Sequence, residues 1–541
     1  MNLTNALNAV LMTAVCSFSS SALAGSADDA KNSWQGRTLD FQYHLQDSRA
    51  MGDSLIFGTH NSFNSRAYSN PTRYFDPQHK YSIYDQLTLG ARYISLDAHW
   101  TAHTHGWPWE WGTDLLLCHS GIGESLGDLH VGCSTTDRKV WSGLDEIRDW
   151  FNEKKESDEV VIVSIQDETE GRHKELYNVI KDRLGDRIYN SGGCGKTFAE
   201  LSKQDVLAAG KNVIVLMVGR SSVDTCSGYE PLRNMAFDES PGFSSVYEDG
   251  TLINDLMKLV GQKYRESISA DDIRGYVKEG EINNLELAWY TQDDGRIDAG
   301  LWSWASNEPN NHDGRQDCAA QYGRGHNSDS RRSRWDDAYC DSNYRYACLN
   351  PDNSQWTVTS QSGPWEYGVE ACHNLGDGYI FAAPQSGKEN ADLYAQNSQN
   401  KIWINLNDKE KEGHWVKGNS EDWIHCATEG STCHVNNQIV RYGAKGKYTL
   451  PRKESSSFSC NNDKFGDPIK GTKKACQKRV ETLRCATEGS YCDLAGETAV
   501  VVYGTATHTV EKTVSGGIDC TNSAFGSDPK SGVKKYCRVA Y

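Results

Sequence analysis

The sequence predicts an α/β body followed by smaller disulfide-bearing domains, and three observations carry that reading. From residue 25 to about residue 300, short apolar runs alternate with amphipathic stretches. The cysteines fall into local, even-numbered groups. Residues 421–541 contain an internal repeat. At 541 residues and 37% hydrophobic, 10% aromatic and 24% charged, the chain is too long for one core and too polar for a polytopic membrane protein. A net charge of −17 argues against a nucleic-acid partner. That charge is uneven: residues 421–541 carry 17 Lys/Arg against 13 Asp/Glu, so an acidic body bears a mildly basic tail.

Residues 1–24 are uncharged, apolar from Ala6 to Val15, and end on Ala22-Leu23-Ala24, the pattern of a secretory signal cleaved after Ala24. Cleavage there leaves 16 of 17 cysteines, in groups of four, four and eight. Even, locally grouped cysteines in an exported chain read as disulfides within domains, since no short C-x-x-C pair favours zinc. In the first group the expected pairs are Cys118–Cys133 and Cys194–Cys226. The protein is expected to be secreted.

Strand-like runs are Ser54–Phe57, Tyr93–Leu96, Leu115–Leu117, Val160–Ile165, Val213–Val218 and Leu285–Trp289. Between them, Asp145–Lys155 and Lys174–Tyr189 repeat apolar residues at three- and four-residue steps. Repeated β-then-α over this length fits an α/β barrel or a doubly wound sheet. Four runs end on polar residues: at His60-Asn61, at Asp97, at His119 and at Gln166-Asp167-Glu168. In a parallel barrel these ends would share one mouth, where active sites sit.

The tail holds two copies of one module of about 60 residues, since Cys426, Cys433, Cys460 and Cys476 recur as Cys485, Cys492, Cys520 and Cys537. Four cysteines and β-branched runs in each predict small disulfide-stapled β units. The expected boundaries are 25–300 for the barrel, 301–419 for the next domain, then 420–478 and 479–541 for the repeats.

Gly58-Thr59-His60-Asn61-Ser62, Asp85-Gln86-Leu87-x-x-Gly90-x-Arg92-Tyr93-x-x-Leu96-Asp97-x-His99-Trp100 and Cys118-His119-Ser120 resemble the X region of phosphatidylinositol-specific phospholipase C. Val161–Ile165 matches that family's following strand. The resemblance covers most of residues 40–300 and implies a TIM-type phosphodiesterase barrel. It implies His60 as general base, taking the proton of the inositol 2-hydroxyl, and His119 as the group that stabilises phosphoryl charge and protonates the leaving diacylglycerol oxygen. Two imidazoles suit this, because one can accept and one donate near neutrality. The implied substrate is an inositol phospholipid or a glycosylphosphatidylinositol anchor at a membrane surface, and the product an inositol 1,2-cyclic phosphate.

Family members neutralise phosphoryl charge with an arginine two residues after the Asp97 position or with calcium. His99 fills the arginine position here, so the resemblance implies Ca2+. Asn61 and Asp97 match its ligand pattern; Ser95 stands in for the first acid of a pair and Gln166 for a later Glu, with Asp167 and Glu168 as alternates. The stretch around Trp100, Trp107, Trp109 and Trp111 reads as a lipid-facing loop.

Residues 302–348 (Trp302-Ser-Trp304, Glu308-Pro309-Asn310, Trp335-Asp336-Asp337, Cys348) resemble the second half of a C-type lectin-like domain. Residues 356–417 (Trp356, Cys372, Trp403, Glu412-Gly413-His414-Trp415) resemble the first half, so the order is that of a circular permutant. The resemblance implies Cys318–Cys340 and Cys348–Cys372, and a sugar-chelating calcium set of Glu308, Asn310, Gln316, Asp336 and Asp337 with a glycan as candidate partner; many lectin-like domains keep the fold and bind no sugar, and such a scaffold role is the favoured expectation. Trp302–Ala305 also reads as a last barrel strand that would carry Glu308 to the barrel mouth. Three functions compete: phosphatidylinositol cleavage, an adhesin or lectin with a degenerate barrel, and glycerophosphodiester or sphingolipid cleavage. Both histidines being present favours the first.

Overall fold

The computed structural model describes residues 26–540, except 70–72, 75–76, 105–110, 120–124, 127–128, 131, 157, 194, 219–228, 239–241, 249–267, 292–294, 351–352, 376–378, 410, 418–419, 436–437, 445–446, 450–451, 505–508, 530 and 532–534. The expected signal segment and the Cys194–Cys226 pair lie outside the described residues. The chain divides into two compact units, residues 1–301 and 302–541.

The first unit is built on strands β1 (Ile56–Thr59), β2 (Tyr93–Thr104), β3 (Trp111–Leu117), β4 (Val161–Glu168), β5 (Val213–Val218), β6 (Ser245–Tyr247) and β7 (Asn284–Leu287). Their order is β5-β4-β2-β1-β7-β6, and every neighbour on this path is parallel. Winding decides between the two candidate folds. A doubly wound sheet reverses direction after its first outward run, whereas here the last strand returns beside the first with β6 beyond it. Past β5, Phe237 bonds to β5 through Met217 N–H to Phe237 C=O and Phe237 N–H to Val215 C=O, both 2.8 Å. The winding therefore keeps one sense from β1 to β7, as in a TIM-type barrel. Among the described residues the ring is open between Phe237 and β6.

The amphipathic stretches form helices for the predicted reason. Val140–Lys154 buries Val140, Leu144, Ile147, Trp150 and Phe151 on one stripe, and His173–Leu184 buries Leu176, Ile180 and Leu184. Gly143 lets the first of these approach the sheet, since a Cβ there would sit 2.8 Å from Leu117 Cδ1. At the N-terminal end of the barrel, Arg92 Nε donates to Glu159 Oε2 at 2.9 Å, and Lys203 Nζ lies 3.4 Å from Glu159 Oε1.

One expected element runs the other way. β3 pairs antiparallel with β2, from Ala98 opposite Leu117 to Thr104 opposite Trp111. An apolar run such as Leu115–Leu117 carries no mark of direction, so its sense was invisible in the sequence. The stretch read as a tryptophan-rich loop is, where described, this ribbon: Trp100 lies within β2, with the Arg172 guanidinium 5.0 Å from its ring centre, and Trp111 begins β3. Trp107 and Trp109 lie outside the described residues.

In the second unit, Trp302–Ala305 is not a barrel strand. Trp335 N–H donates to Ser303 C=O at 2.8 Å and Ala305 N–H to Trp335 C=O at 2.9 Å. The strand Lys401–Asn407 pairs antiparallel with Cys318–Tyr322 and parallel with Tyr344–Asn350. Residues from either side of position 350 thus interleave in one sheet. Disulfides Cys318–Cys340 and Cys348–Cys372 staple it.

The tail forms an eight-stranded sheet to which both repeats contribute. Each repeat carries the same two disulfides, Cys426–Cys433 and Cys460–Cys476 in one, Cys485–Cys492 and Cys520–Cys537 in the other. The likeness extends to buried polar contacts. Tyr442 Oη lies 2.7 Å from Glu429 and 2.9 Å from Asn462 Oδ1, and Tyr503 Oη lies 2.8 Å from Glu488 and 2.9 Å from Asn522 Oδ1. One strand, Ala475–Thr487, runs through the expected 478/479 boundary.

Candidate active site

Strand alternation decides which β2 side chains enter the barrel. Leu96 faces outward, because the place of a Cβ on Gly143 in the Val140–Lys154 helix is 3.9 Å from Leu96 Cδ2. Ser95, Asp97 and His99 therefore face the interior. Across the parallel ladder Asp97 is level with Gln166 and His99 with Glu168. Asp167 has the opposite parity and is already engaged: it accepts from Thr169 N–H at 3.0 Å and Thr169 Oγ1 at 2.6 Å, with His173 Nδ1 at 2.8 Å. Of the two alternates, Glu168 lies on the site's side and takes a 3.0 Å bond from Gln166 Nε2.

His60 follows β1, its N–H donating to Leu287 C=O at 3.4 Å. Its Nδ1 lies 3.5 Å from Glu286 Oε2 on β7, and Asn284 Nδ2 holds the other Glu286 oxygen at 3.1 Å. Tyr247, on β6, stacks on the imidazole with centroids 5.0 Å apart. A buried carboxylate this close to Nδ1 favours the tautomer that carries its proton there, which makes Nε2 the basic nitrogen. Asn61 turns the chain at φ +48°, a conformation asparagine tolerates. Its Nδ2 donates to Gln78 Oε1 at 3.3 Å, while its Oδ1, on a side chain 1% exposed, is buried with no partner.

His79 completes this corner and gave no signal in the sequence. It is fully buried, with Nε2 2.6 Å from the His60 carbonyl oxygen. Burial, with the nearby His60 as a further contributor, lowers its pKa to about 4, so at neutral pH it is an uncharged ring donating its one N–H. Because the unfolded histidine titrates near 6.5, stability from this group is present above pH 6.5 and lost as pH falls toward 4. Between pH 7 and 5 the loss is about 2 kcal/mol. Urea unfolding at the two pH values should show it, and His79→Phe should flatten it. An acid limb unchanged in His79→Phe would assign the titration elsewhere.

His119 reaches the site by a longer route than a parallel strand end. The β2–β3 ribbon passes the barrel mouth and returns, so that Cys118 N–H donates to Asp97 C=O at 3.3 Å and half-buried His119 follows it. A Cys118–Cys133 disulfide and the Tyr74 hydroxyl, 2.8 Å from Leu117 C=O, pin the return. His99 approaches Cys118 and Cys133, but both sulfurs are spent in that disulfide, which leaves no thiolate for a metal. His60, Asn61, Asp97, Gln166 and His119 thus converge at one end of the parallel sheet.

In the second unit Glu308, Asp336 and Asp337 form a buried carboxylate cluster. Asn310 Nδ2 bonds Glu308, and Gln316 Oε1 accepts from His312 N–H at 2.7 Å. A neighbouring cluster, Asp317, Asp408 and Glu412, was not singled out in the sequence. Asp408 Oδ2 accepts from Gly413 N–H at 2.8 Å, while Oδ1 is buried with no partner. Burial, reinforced by Glu412 and Asp317, raises the Asp408 pKa to about 6.

Residues 20–230 match the family model described as the Rv2075c PI-PLC-like domain. This segment is similar to PI-PLC-like domains. The uncharacterized protein Rv2075c of Mycobacterium tuberculosis is 27% identical over 400 residues, covering 67% of this chain and 77% of that protein. Lectin BRA-3 of Megabalanus rosa is 33% identical over 82 residues, 14% of this chain and 51% of the lectin. Among solved structures, a phosphatidylinositol-specific phospholipase C of Staphylococcus aureus aligns with TM-score 0.29 at 9% identity, covering 51% of this chain and 98% of its own. A Ca2+-dependent one from Streptomyces antibioticus aligns with TM-score 0.24 at 17% identity, covering 37% and 69%.

Asn61, Asp97, Gln166 and Glu168 bring to the mouth of the barrel oxygens of the type a hard divalent cation takes. The orphaned Asn61 Oδ1 lacks the partner that a buried amide oxygen needs. Glu286 escaped the sequence reading although its signal was present, a charged residue inside the apolar run Leu285–Trp289.

Proposed function

We propose that the PI-PLC-like domain cleaves phosphatidylinositol-type lipids, glycosylphosphatidylinositol anchors included, to inositol 1,2-cyclic phosphate and diacylglycerol. The observation that carries this is His60, held by Glu286 at Nδ1 and set at the same barrel end as Asp97 and His119. His60 Nε2 takes the proton of the inositol 2-hydroxyl as that oxygen bonds to phosphorus. The bond from phosphorus to the diacylglycerol oxygen breaks, and His119 supplies the proton to that oxygen. Asn61, Asp97, Gln166 and Glu168 are the groups that would hold calcium at the mouth, where it would supply neutralisation of charge on the phosphoryl oxygens. Among the described residues there are seven disulfides, which support action in an oxidising compartment, and no helix is long and apolar enough to cross a membrane.

The test is release of water-soluble inositol phosphate from phosphatidylinositol vesicles, with and without chelator. Cyclic phosphate is the expected first product, and chelation should lower the rate by about 10²-fold or more, restored by added Ca2+. No release in either condition would sink the phosphodiesterase reading. Release indifferent to chelator would remove the metal alone.

A further inference from the structure

The lectin-type cluster of the second unit already contains two counter-cations, Arg331 and Lys401, for its three carboxyl groups. A calcium ion needs about 6–8 oxygens with lone pairs to give. Here each carboxylate oxygen of the cluster has a donor. Glu308 Oε1 accepts from Arg331 at 2.9 Å and Oε2 from Asn310 Nδ2 at 2.5 Å. Asp336 Oδ1 accepts from the Tyr322 hydroxyl, and Oδ2 pairs with the Lys401 ammonium. Asp337 Oδ1 and Oδ2 accept from the backbone N–H groups of Asn310 and Asn311 at 3.1 and 2.5 Å.

Lys401 is the more enclosed of the two cations, its side chain 19% exposed, while Arg331 reaches the cluster from a side chain 40% exposed. Lys401 is level with Tyr322 in the antiparallel ladder and Asp336, on the strand Trp335–Ala338, is level with Ala320, so the two meet diagonally across the intervening Cys318–Tyr322 strand. The Tyr322 ring lies beneath both charges, 4.8 Å from Lys401 Nζ and 5.6 Å from the Arg331 guanidinium. Together Arg331 and Lys401 deliver two positive charges, the charge of one calcium ion. A divalent ion entering the cluster would have to displace both from carboxylates that are 2% and 5% exposed.

We propose that Arg331 and Lys401 replace calcium in this cluster, so that the Glu308-Pro309-Asn310 loop is held without a metal and no sugar is chelated through one there. The residues do not fit the ion that the lectin-like pattern implies. This proposal is independent of the phosphodiesterase reading.

The experiment is the stoichiometry of Ca2+ bound by the full chain, measured by equilibrium dialysis. Glu308→Gln and Asp336→Asn should each bind as many ions as the unsubstituted chain. Arg331→Met combined with Lys401→Met should bind one more, and Asp408→Asn in that background keeps the neighbouring cluster from supplying it. Loss of one ion in either Glu308→Gln or Asp336→Asn, with circular dichroism unchanged, would overturn the proposal. So would a folded double variant that gains none. If the double variant fails to fold, the two single carboxylate variants still decide.

Discussion

His60→Ala should lower kcat/KM for phosphatidylinositol cleavage by at least about 10³-fold, with the thermal midpoint unchanged. The size follows from what the proposed mechanism loses: the group assigned to accept the 2-hydroxyl proton, in a ring with Glu286 3.5 Å from its Nδ1. Alanine at a site that is partly open to solvent leaves Glu286 with its bond from Asn284, so stability should change little. Glu286→Gln keeps the shape and the bond from Asn284 but removes the negative charge at Nδ1. It should cost less, about 10–10²-fold, and mostly in kcat. Residual activity of His60→Ala within tenfold of the unsubstituted enzyme would place the proton acceptor elsewhere.

Arg92→Met should destabilise the first unit by about 3–5 kcal/mol, the cost of leaving a buried carboxylate without its partner. Burial pushes the Glu159 pKa up, but Arg92 and Lys203 overcome it and hold the carboxyl at about 2. A carboxyl held below its unfolded value of 4.5 gives stability that is present above pH 4.5 and lost as pH falls toward 2. Without Arg92 the burial effect gains ground, so the acid-induced loss should shrink or reverse in the variant. Replacing both partners by methionine should recover much of the stability, since a well-packed apolar pair leaves nothing unpaired. Urea unfolding at pH 7 and pH 4 measures each change; an unaltered midpoint in Arg92→Met would mean the pair contributes nothing net.

How much of this was legible depends on what each feature needs. The strands at Tyr93 and Val213 and the Val140–Lys154 stripe are local patterns, and period alone exposes them. His60 and Asp97 lie at strand ends, where sequence position and barrel geometry coincide. The sense of β3 depends on its partner, and three leucines in a row do not name one. Glu286 and His79 are 226 and 19 residues from His60, and only closure of β7 onto β1 and the fold of the loop bring them to it. The counter-cations of the lectin-like cluster were missed for the same reason: Lys401 meets Asp336 across 65 residues, through a sheet whose strands come from both halves of the permuted pattern.

The strand Ala475–Thr487 has a further implication for how the tail is put together. Its first half is bonded to Ser420–Thr428 and Gln438–Ala444, and its last half to Tyr536–Ala540. What the sequence repeats is therefore not what the structure can separate. The two copies have no joint between them: neither can turn against the other, and a cut at the repeat boundary severs a rib common to both. The repeat here widens one plank instead of adding a second bead to a string, and the pair is expected to melt as a single piece.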